Sequence, residues 1–332
     1  MKNSKEFNMT YFDALTEKRR KKALALDKND PEFNSLFEMV KDIYSDSAHF
    51  IYELLQNADD AGAKSAQFLL KEDCLVFIHN GTKNFTISDP DSKSIKEDQK
   101  LGRYGDINAI TAICFSSKKD ESNKVGKFGV GFKSVFQYTT SPHIYDPNIR
   151  FKIEDYIIPI KLDKDYDNRS KSETVFVFPF NNPEIPPERA YSDILEKLEN
   201  LENPVLFLQN LKEVHWMDTL TGNNGLYKCE LIESIDFNET KAEHFRVHYD
   251  DTNDCKYIWL FSRQTDNNLR YCVGFWFDEN ENFIPWPNDR AYCFFTTSEN
   301  THLNFIIHAP FLLTQNRANI KAKEKHNLDM MI

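Results

Sequence analysis

The sequence predicts two α/β domains, the first a sandwich of helices against a mixed, mainly antiparallel sheet. Charged helical segments precede short strand-like segments in the first half of the chain, and residues 134–180 alternate apolar and polar side chains in strand-length pieces. Residues 181–187 contain three prolines and are the best candidate for a domain boundary. Since 332 residues accommodate two ordinary domains, we predict a first domain over residues 1–185 and a second α/β domain over residues 186–332.

Periodicity and helix-breaking residues predict the individual elements. Helices are predicted over residues 12–27, 31–44 and 47–60, and a further amphipathic helix follows the domain boundary. Strands are predicted at 66–70, 75–79 and 173–178 in the first domain, and at 205–208, 257–262, 270–277, 291–296 and 303–308 in the second. Residues 82–124 form a long polar stretch. Residues 321–332 resemble the beginning of a helix, and we interpret the chain as part of a longer protein.

The composition is typical of a soluble globular protein, with 40% hydrophobic and 28% charged residues. No apolar run approaches the roughly 20 residues of a membrane span, and the first residues lack the apolar core of a secretory signal, so we predict a cytoplasmic protein. Six cysteines without a CxxC pair are interpreted as reduced thiols. The net charge of −11 disfavours a dedicated nucleic-acid binder. One basic run, residues 19–22, is interpreted as a solvated helix face.

The first candidate for chemistry lies in the predicted helix before the first strand, where residues 53–62 read ELLQNADDAG. At about 100° per residue, Glu53, Asn57 and Asp60 fall within about 60° of one another, opposite an apolar face. In such a stripe an amide oxygen can hold a hard cation while a carboxylate orients water. Taken alone, the pattern fits an ordinary amphipathic helix with a solvated face equally well.

Two loop motifs follow this helix. Residues 126–134 read GKFGVGFKS and contain three of the ten glycines of the chain, so that backbone N–H groups could approach an anion closely. Most single glycine-rich segments, however, are only turns. His79-Asn80-Gly81 ends a strand-like run, where a polar side chain before glycine can bond the edge of a flat ligand. The alternative is a hairpin turn, which Asn-Gly favours.

The order and spacing of these motifs resemble the Bergerat fold of the gyrase, heat-shock chaperone, histidine kinase and MutL (GHKL) superfamily. Residues 53–61 resemble the N-box of the heat-shock-90 chaperones, and residues 126–134 resemble their glycine-rich box. Residues 116–119, which read SSKK, and His79-Asn80-Gly81 are more similar to the sacsin-like branch. The resemblance is strong over residues 40–180 and weak beyond them.

The resemblance implies a role for each matching residue, with ATP and Mg²⁺ as the ligands. Glu53 would be the general base that activates the attacking water, and Asn57 would coordinate the magnesium ion. Asp60 would support the base and the adenine side of the pocket, Thr174 would back the adenine, and residues 82–124 would form the ATP lid. The implied contacts with the triphosphate are Gly126, Lys127, Phe128, Gly129, Val130, Gly131 and Phe132.

The adenine-reading position departs from the superfamily pattern. The usual residue is an aspartate, which accepts a hydrogen bond from the adenine amino group, whereas the matching dipeptide here is His79-Asn80. An asparagine oxygen also accepts this bond, but less strongly because it carries no charge. We predict that Asn80, with Gly81 beside it, reads the adenine. His79 is the alternative if the match is shifted by one residue.

One motif in the second half also resembles the chaperones. Residues 309–320 read APFLLTQNRANI and resemble the loop of the chaperone middle domain that delivers an arginine to the γ-phosphate. A guanidinium is planar and permanently charged, so Arg317 could hold two phosphoryl oxygens. The alternative is a surface arginine at the end of a strand.

Together these features predict slow, magnesium-dependent ATP hydrolysis, gated by lid closure and by dimerisation, in a sacsin-like or chaperone-like ATPase with an unidentified protein client. One alternative is an ATP-gated DNA clamp of the mismatch-repair type, which would need a basic inner surface. A second is an ATP-sensing module with negligible turnover. Nucleic acid is thus a less favoured partner, and no membrane partner is expected. A histidine kinase is disfavoured because no phosphoacceptor helix precedes the pocket.

Overall fold

The computed structural model describes residues 8–25, 50–112, 131–249, 255–264, 270–286, 290–314, 319–321 and 323–327. The chain divides into two compact units. The first comprises Met1–Lys197 with Asp218–Gly222, and the second comprises Leu198–Met217 with Asn223–Ile332. The domain boundary that we predicted at residue 185 stays a prediction.

The first unit is built on an antiparallel sheet. Its strands are β1 (Ser65–Leu70), β2 (Cys74–His79), β3 (His143–Tyr145), β4 (Arg150–Glu154), β5 (Ile158–Lys161) and β6 (Thr174–Pro179), in the spatial order β1-β2-β6-β3-β4-β5. The central pair joins β2 to β6, with Phe77 opposite Phe176 and His79 opposite Thr174. One rung of buried side chains runs directly across five strands and consists of Phe68, Phe77, Phe176, Ile144 and Phe151.

The helices of the first unit are α1 (Met9–Ala25), α2 (Phe50–Asp60), α3 (Ile95–Lys100), α4 (Asp106–Ile110), the 3-10 helix Gly131–Gln137 and α5 (Pro187–Glu199), whose last two residues belong to the second unit. The rings of Phe50 on α2 and Phe132 on the 3-10 helix lie 5.9 and 6.5 Å from the ring of Phe178 on β6. The Phe12 ring on α1 lies 5.9 Å from Phe151 on the shared rung. Since Phe176 and Phe178 are two residues apart on one strand, all three helices cover the same face of the sheet. This layer of helices on one face is the predicted sandwich.

The described part of the second unit is mainly β-structure. Its strands are β7 (Glu213–Asp218), β8 (Asn224–Phe237), β9 (Thr240–Tyr249), β10 (Cys255–Gln264), β11 (Arg270–Phe277), β12 (Phe283–Ile284), β13 (Arg290–Cys293), β14 (Phe295–Asn300) and β15 (Ile306–His308). The order is β14-β13-β15-β11-β10-β9-β8-β7, with β13 and β15 parallel and the other neighbours antiparallel. Together with the helices of the first unit, these strands make a mixed α/β structure with a mainly antiparallel sheet, as the fold class predicted. The second α/β domain stays a prediction, because its described part consists mainly of strands.

Several predicted elements match the structure. The strand predicted at 205–208 does not, the strand predicted at 291–296 is divided between β13 and β14, and the helix predicted over residues 31–44 lies outside the described residues. The strands expected at 66–70 and 75–79 are β1 and β2, within one residue. Residues 205–208 are buried but form turns rather than a strand, because a short apolar run marks burial without specifying an extended ladder. The hairpin of β8 and β9 was not predicted. Its outer part is rich in charge and exposes four apolar side chains, Leu231, Ile232, Ile235 and Phe237.

The structure also bears on the interpretations of the cysteines, of the basic run at residues 19–22 and of membrane-spanning segments. The five described cysteines are free thiols: Cys74, Cys229, Cys255, Cys272 and Cys293. Arg19 does not lie on a solvated face; it is buried and donates to the carbonyl oxygen of Asn108 at 3.1 Å. In the part of the chain that the structure describes, no helix combines the length and the apolarity that a bilayer span requires.

Candidate functional site

The acidic stripe is carried by α2, as the sequence predicted. The apolar face of this helix is buried almost completely, with Phe50, Ile51, Leu54, Leu55 and Ala58 each at most 1% exposed. This packing fixes the rotation of the helix about its axis. Glu53 is itself buried, at 5% exposed, whereas Asn57 and Asp60 are half-buried. The solvated face that an ordinary amphipathic helix would show is therefore absent at Glu53.

The Glu53 carboxylate lies directly against the backbone of Gly131, the last glycine of the glycine-rich segment. A Cβ atom built on Gly131 would be 1.9 Å from Glu53 Oε2 and 2.4 Å from Glu53 Cδ. Both distances are far below any real contact, so a side chain at position 131 would require the Glu53 carboxylate to move. The fold thus brings together an acid and a glycine that are 78 positions apart in the chain. Gly126, Lys127, Phe128, Gly129 and Val130 lie outside the described residues.

The residues that follow Gly131 are held firmly. Phe132 is buried, with its ring 6.3 Å from that of Phe176. Lys133 Nζ donates to the carbonyl oxygen of Tyr156 at 2.6 Å, and Ser134 Oγ donates to the carbonyl oxygen of Gly131 at 2.5 Å. The position of Gly131 against α2 is therefore set by contacts on both the sheet and the neighbouring loop.

His79 and Asn80, at the end of β2, have different surroundings. His79 is 5% exposed, and its ring lies 5.9 Å from those of Phe77 and Phe176. Its Nδ1 accepts a hydrogen bond from the N–H of Gly81 at 3.1 Å, and burial lowers the pKa of His79 to about 4. Asn80 is exposed. Its Oδ1 accepts from the N–H groups of Lys64 at 2.8 Å and Ser65 at 3.0 Å.

Gly81 marks a close approach between the end of β2 and the end of α2. A Cβ atom on Gly81 would be 2.8 Å from the Cβ of Ala61 and 2.9 Å from His79 Nδ1. The next residue, Thr82, donates its N–H to the carbonyl oxygen of Ala61 at 2.9 Å, and Lys83 Nζ donates to the carbonyl oxygen of Asp60. These contacts place His79 and the C-terminal end of α2 in one neighbourhood.

Thr174 lies directly opposite His79 in the β2–β6 pair and is 1% exposed. Its hydroxyl donates to Asp146 Oδ2 at 3.1 Å. Asp146 Oδ1 also accepts the N–H of Asn148 at 2.9 Å, and burial raises the pKa of the Asp146 carboxyl group. Asp146 was not predicted from the sequence. Its only signal there is an Asp-Pro pair in a turn, and it meets Thr174 only through the tertiary fold.

The described part of the predicted lid, residues 82–112, is anchored at both of its ends. Phe85 is buried, with its ring 5.9 Å from Phe151. Asn108 on α4 is 1% exposed; its Oδ1 accepts from the N–H of Ser88 at 2.9 Å and its Nδ2 donates to the carbonyl oxygen of Ser88 at 3.0 Å. The segment is therefore anchored near Phe85 and along α4, whereas most described side chains of residues 91–104 are exposed. The remainder of the predicted lid, residues 113–124, lies outside the described residues.

The predicted arginine loop is described only at its base. Leu313 pairs with Ile320, and the N–H of Thr314 donates to the carbonyl oxygen of Asn319 at 2.8 Å, so the two sides of the loop meet. Arg317 falls outside the described residues.

Comparison with known proteins gives the family context of these motifs. The Sacsin domain family model matches residues 33–158. Human Sacsin is 34% identical over 122 aligned positions, covering 33% of this chain and 2% of Sacsin. Chaperone protein HtpG of Halalkalibacterium halodurans is 30% identical over 110 positions, covering 30% of this chain and 18% of HtpG. Protein NO VEIN of Arabidopsis thaliana is 24% identical over 310 positions, covering 84% of this chain and 10% of that protein. The chain therefore spans only a small part of the length of these relatives.

Proposed function

We propose that this chain, whose residues 33–158 match the Sacsin domain model and which resembles parts of Sacsin and HtpG, binds ATP with magnesium and hydrolyses it to ADP and phosphate. Nucleotide turnover would drive a conformational cycle in a larger sacsin-like or chaperone-like protein. The proposal includes dimerisation and an unidentified protein client. It also includes an interaction of the Arg317 guanidinium with the γ-phosphate.

The observation that carries the proposal is the contact between Glu53 and Gly131. A general base must lie within hydrogen-bond reach of the water that it activates, and that water must attack a phosphoryl group. Gly131 closes a segment whose glycines suit backbone binding of phosphate. A buried carboxylate against the end of such a segment is well placed to receive the proton of a water that attacks the terminal phosphate.

The residues around α2 fit a magnesium ion that is shared with the nucleotide. Magnesium commonly keeps several waters and takes one or two protein oxygens together with phosphate oxygens. Asn57 lies one helical turn after Glu53, and its amide oxygen is a suitable neutral ligand. Within the described residues no group of three or more His, Cys, Asp or Glu side chains could form an all-protein metal cage. Bound magnesium would neutralise charge on the phosphate oxygens.

The test is a comparison of Glu53→Gln with the parent chain and with Glu188→Gln, a matched control at an exposed position of α5. Glutamine keeps the size of the side chain against Gly131 but cannot take a proton. We expect Glu53→Gln to bind ATP with magnesium nearly as the parent does and to release phosphate about 10²–10⁴-fold more slowly. Glu188→Gln should match the parent in both measurements.

Calorimetric titration and a phosphate-release assay separate the outcomes. Failure of the parent chain to bind ATP in the presence of magnesium would refute the proposal as a whole. Binding by the parent without measurable turnover would favour the ATP-sensing module. Parental turnover by Glu53→Gln would remove Glu53 from the role of base while leaving nucleotide binding intact.

A further inference from the structure

The helix α1 buries one stripe of side chains, and a charged residue belongs to that stripe. The buried residues recur at helical spacing and are Phe12, Leu15, Thr16 and Arg19. Phe12 packs on the sheet, and Thr16 Oγ1 donates to the carbonyl oxygen of Pro159 on β5 at 2.8 Å. A buried cation is costly unless its donors are bonded, so the contacts of Arg19 decide what the end of the stripe does.

Arg19 reaches from this stripe to the C-terminal end of α4. Its Nη2 donates to the carbonyl oxygen of Asn108 at 3.1 Å, and its Nε donates to Thr111 Oγ1 at 3.4 Å. Thr111 Oγ1 in turn donates to the carbonyl oxygen of Ile107 at 2.6 Å. The last carbonyl groups of a helix lack partners within that helix, and a guanidinium with several donors can satisfy them from outside. Arg19 therefore binds the end of α4 at two points.

The described part of the predicted lid has a second contact with α1. Lys18 Nζ donates to the carbonyl oxygen of Pro90, and also to Asp91 Oδ1 at 3.1 Å. Asn108 connects the two contacts, because its side chain pairs with the backbone of Ser88 in both directions. The helix α1 thus lies on the sheet through one part of its buried stripe and holds the predicted lid through the following residues.

Resting on the proposed function, we propose that α1 is a strap across the predicted lid, and that Arg19 is the positioning residue through which it slows the release of bound nucleotide. The Sacsin domain model matches from residue 33 onward, so α1 precedes the matched region. The end of α4 can move away from the sheet only after the buried bonds of Arg19 break. Since Phe12 and Thr16 hold α1 on the sheet, the strap does not simply follow α4 outward.

The first test is hydrogen exchange of the whole chain without nucleotide, comparing Arg19→Ala with the parent and with Arg20→Ala. Arg20 is a matched control, because it is exposed and bonds Glu17 on the same helix at 2.7 Å. Loss of a buried hydrogen bond from a charged donor should raise the local opening equilibrium, so exchange at residues 107–112 should become about tenfold to a hundredfold faster. Exchange in β2 should stay parental, and Arg20→Ala should exchange like the parent throughout.

The second test is the rate at which ADP with a fluorescent group on its ribose leaves the same proteins in magnesium, followed by stopped flow. We expect release from Arg19→Ala to be about tenfold faster or more, because the lid opens more often. Arg19→Lys keeps the charge and a donor but not the planar fork, so it should restore part of the slow release and part of the slow exchange. Arg20→Ala should release ADP at the parental rate.

The outcomes separate the strap from the proposed function. Parental exchange at residues 107–112 in Arg19→Ala, or an equal rise in β2, would overturn the strap. Faster exchange there with parental release of ADP would overturn its role in nucleotide release. A parent chain that binds no ADP would refute the proposed function, while the exchange comparison would still decide whether Arg19 holds α4. Should Arg19→Ala fail to fold, Thr111→Val removes one of the two bonds, and the absence of a smaller rise at residues 107–112 would overturn the strap.

Discussion

Replacing Gly131 with alanine should disable hydrolysis by moving the Glu53 carboxylate. The new Cβ atom would be 1.9 Å from Glu53 Oε2, whereas ordinary contact begins near 3.4 Å. The carboxylate must therefore move by about 1.5 Å, and a misplacement of about 1 Å can lower a catalysed rate about 10²-fold. We expect kcat for ATP to fall by about 10²-fold or more in a steady-state phosphate-release assay.

Two further variants show whether the effect acts through the carboxylate. Gly274→Ala is a steric control in the second unit, where a Cβ atom would be 2.7 Å from Leu260 Cδ2, and it should lower the unfolding temperature more than it lowers turnover. The double variant Glu53→Ala with Gly131→Ala should turn over no more slowly than Glu53→Ala alone, because Gly131→Ala acts only by displacing the carboxylate that Glu53→Ala removes. Parental kcat in Gly131→Ala, or strictly additive losses in the double variant, would refute this reasoning.

Three other expectations follow from the described residues. Asn57→Ala should weaken ATP binding with magnesium far more than binding without it, as measured by titration in magnesium and in chelator; equal losses would indicate a structural role. Hydrogen exchange without nucleotide should be slow at residues 107–112, and rapid exchange there would show that this end of the predicted lid is mobile. Burial lowers the pKa of His79 to about 4 and that of His308 to about 3. As the pH falls below about 6.5, these two histidines are protonated in the unfolded chain but stay neutral in the folded protein. The free energy of unfolding should therefore decrease by about 1 kcal/mol for each histidine by pH 5.5. Urea unfolding at pH 7.5 and 5.5 measures this cost, and His308→Phe should reduce it; equal stability at both pH values would contradict the assigned burial.

The sequence was informative where local pattern and tertiary role coincide. The apolar periodicity of α2 predicted the helix and the face that it buries, because a helix with one apolar face has one way to bury it. The burial of Glu53 on the opposite stripe depends on the approach of Gly131 and was not predicted. The strands β1 and β2 followed from apolar runs between turn residues. For this reason the acidic stripe could be assigned to α2, and the Asn-Gly turn to the end of β2, from the sequence alone.

The sequence was silent where a role depends on distant partners. Asp146 and Thr174 are 28 positions apart, and no local pattern links a turn aspartate to a strand threonine. Arg19 looked like a surface charge, but its guanidinium satisfies the carbonyl oxygen of Asn108 on α4. The same limit applies to His79 and Asn80, since the choice between them depends on which backbone N–H groups each side chain meets.

The pairing of β2 with β6 in the first unit must be a late step of folding during synthesis. β2 and β6 are neighbours in space, but residues 79 and 174 are roughly 100 positions apart in the chain. During synthesis the β1–β2 hairpin must wait, with one edge open, until residue 179 has left the ribosome, because its partner does not yet exist. Pairing across such a distance is slow compared with the closing of a local hairpin. His79 meets Thr174 in this late step, so a nascent chain that ends before β6 has α2 and Glu53 but lacks the strand that carries Thr174.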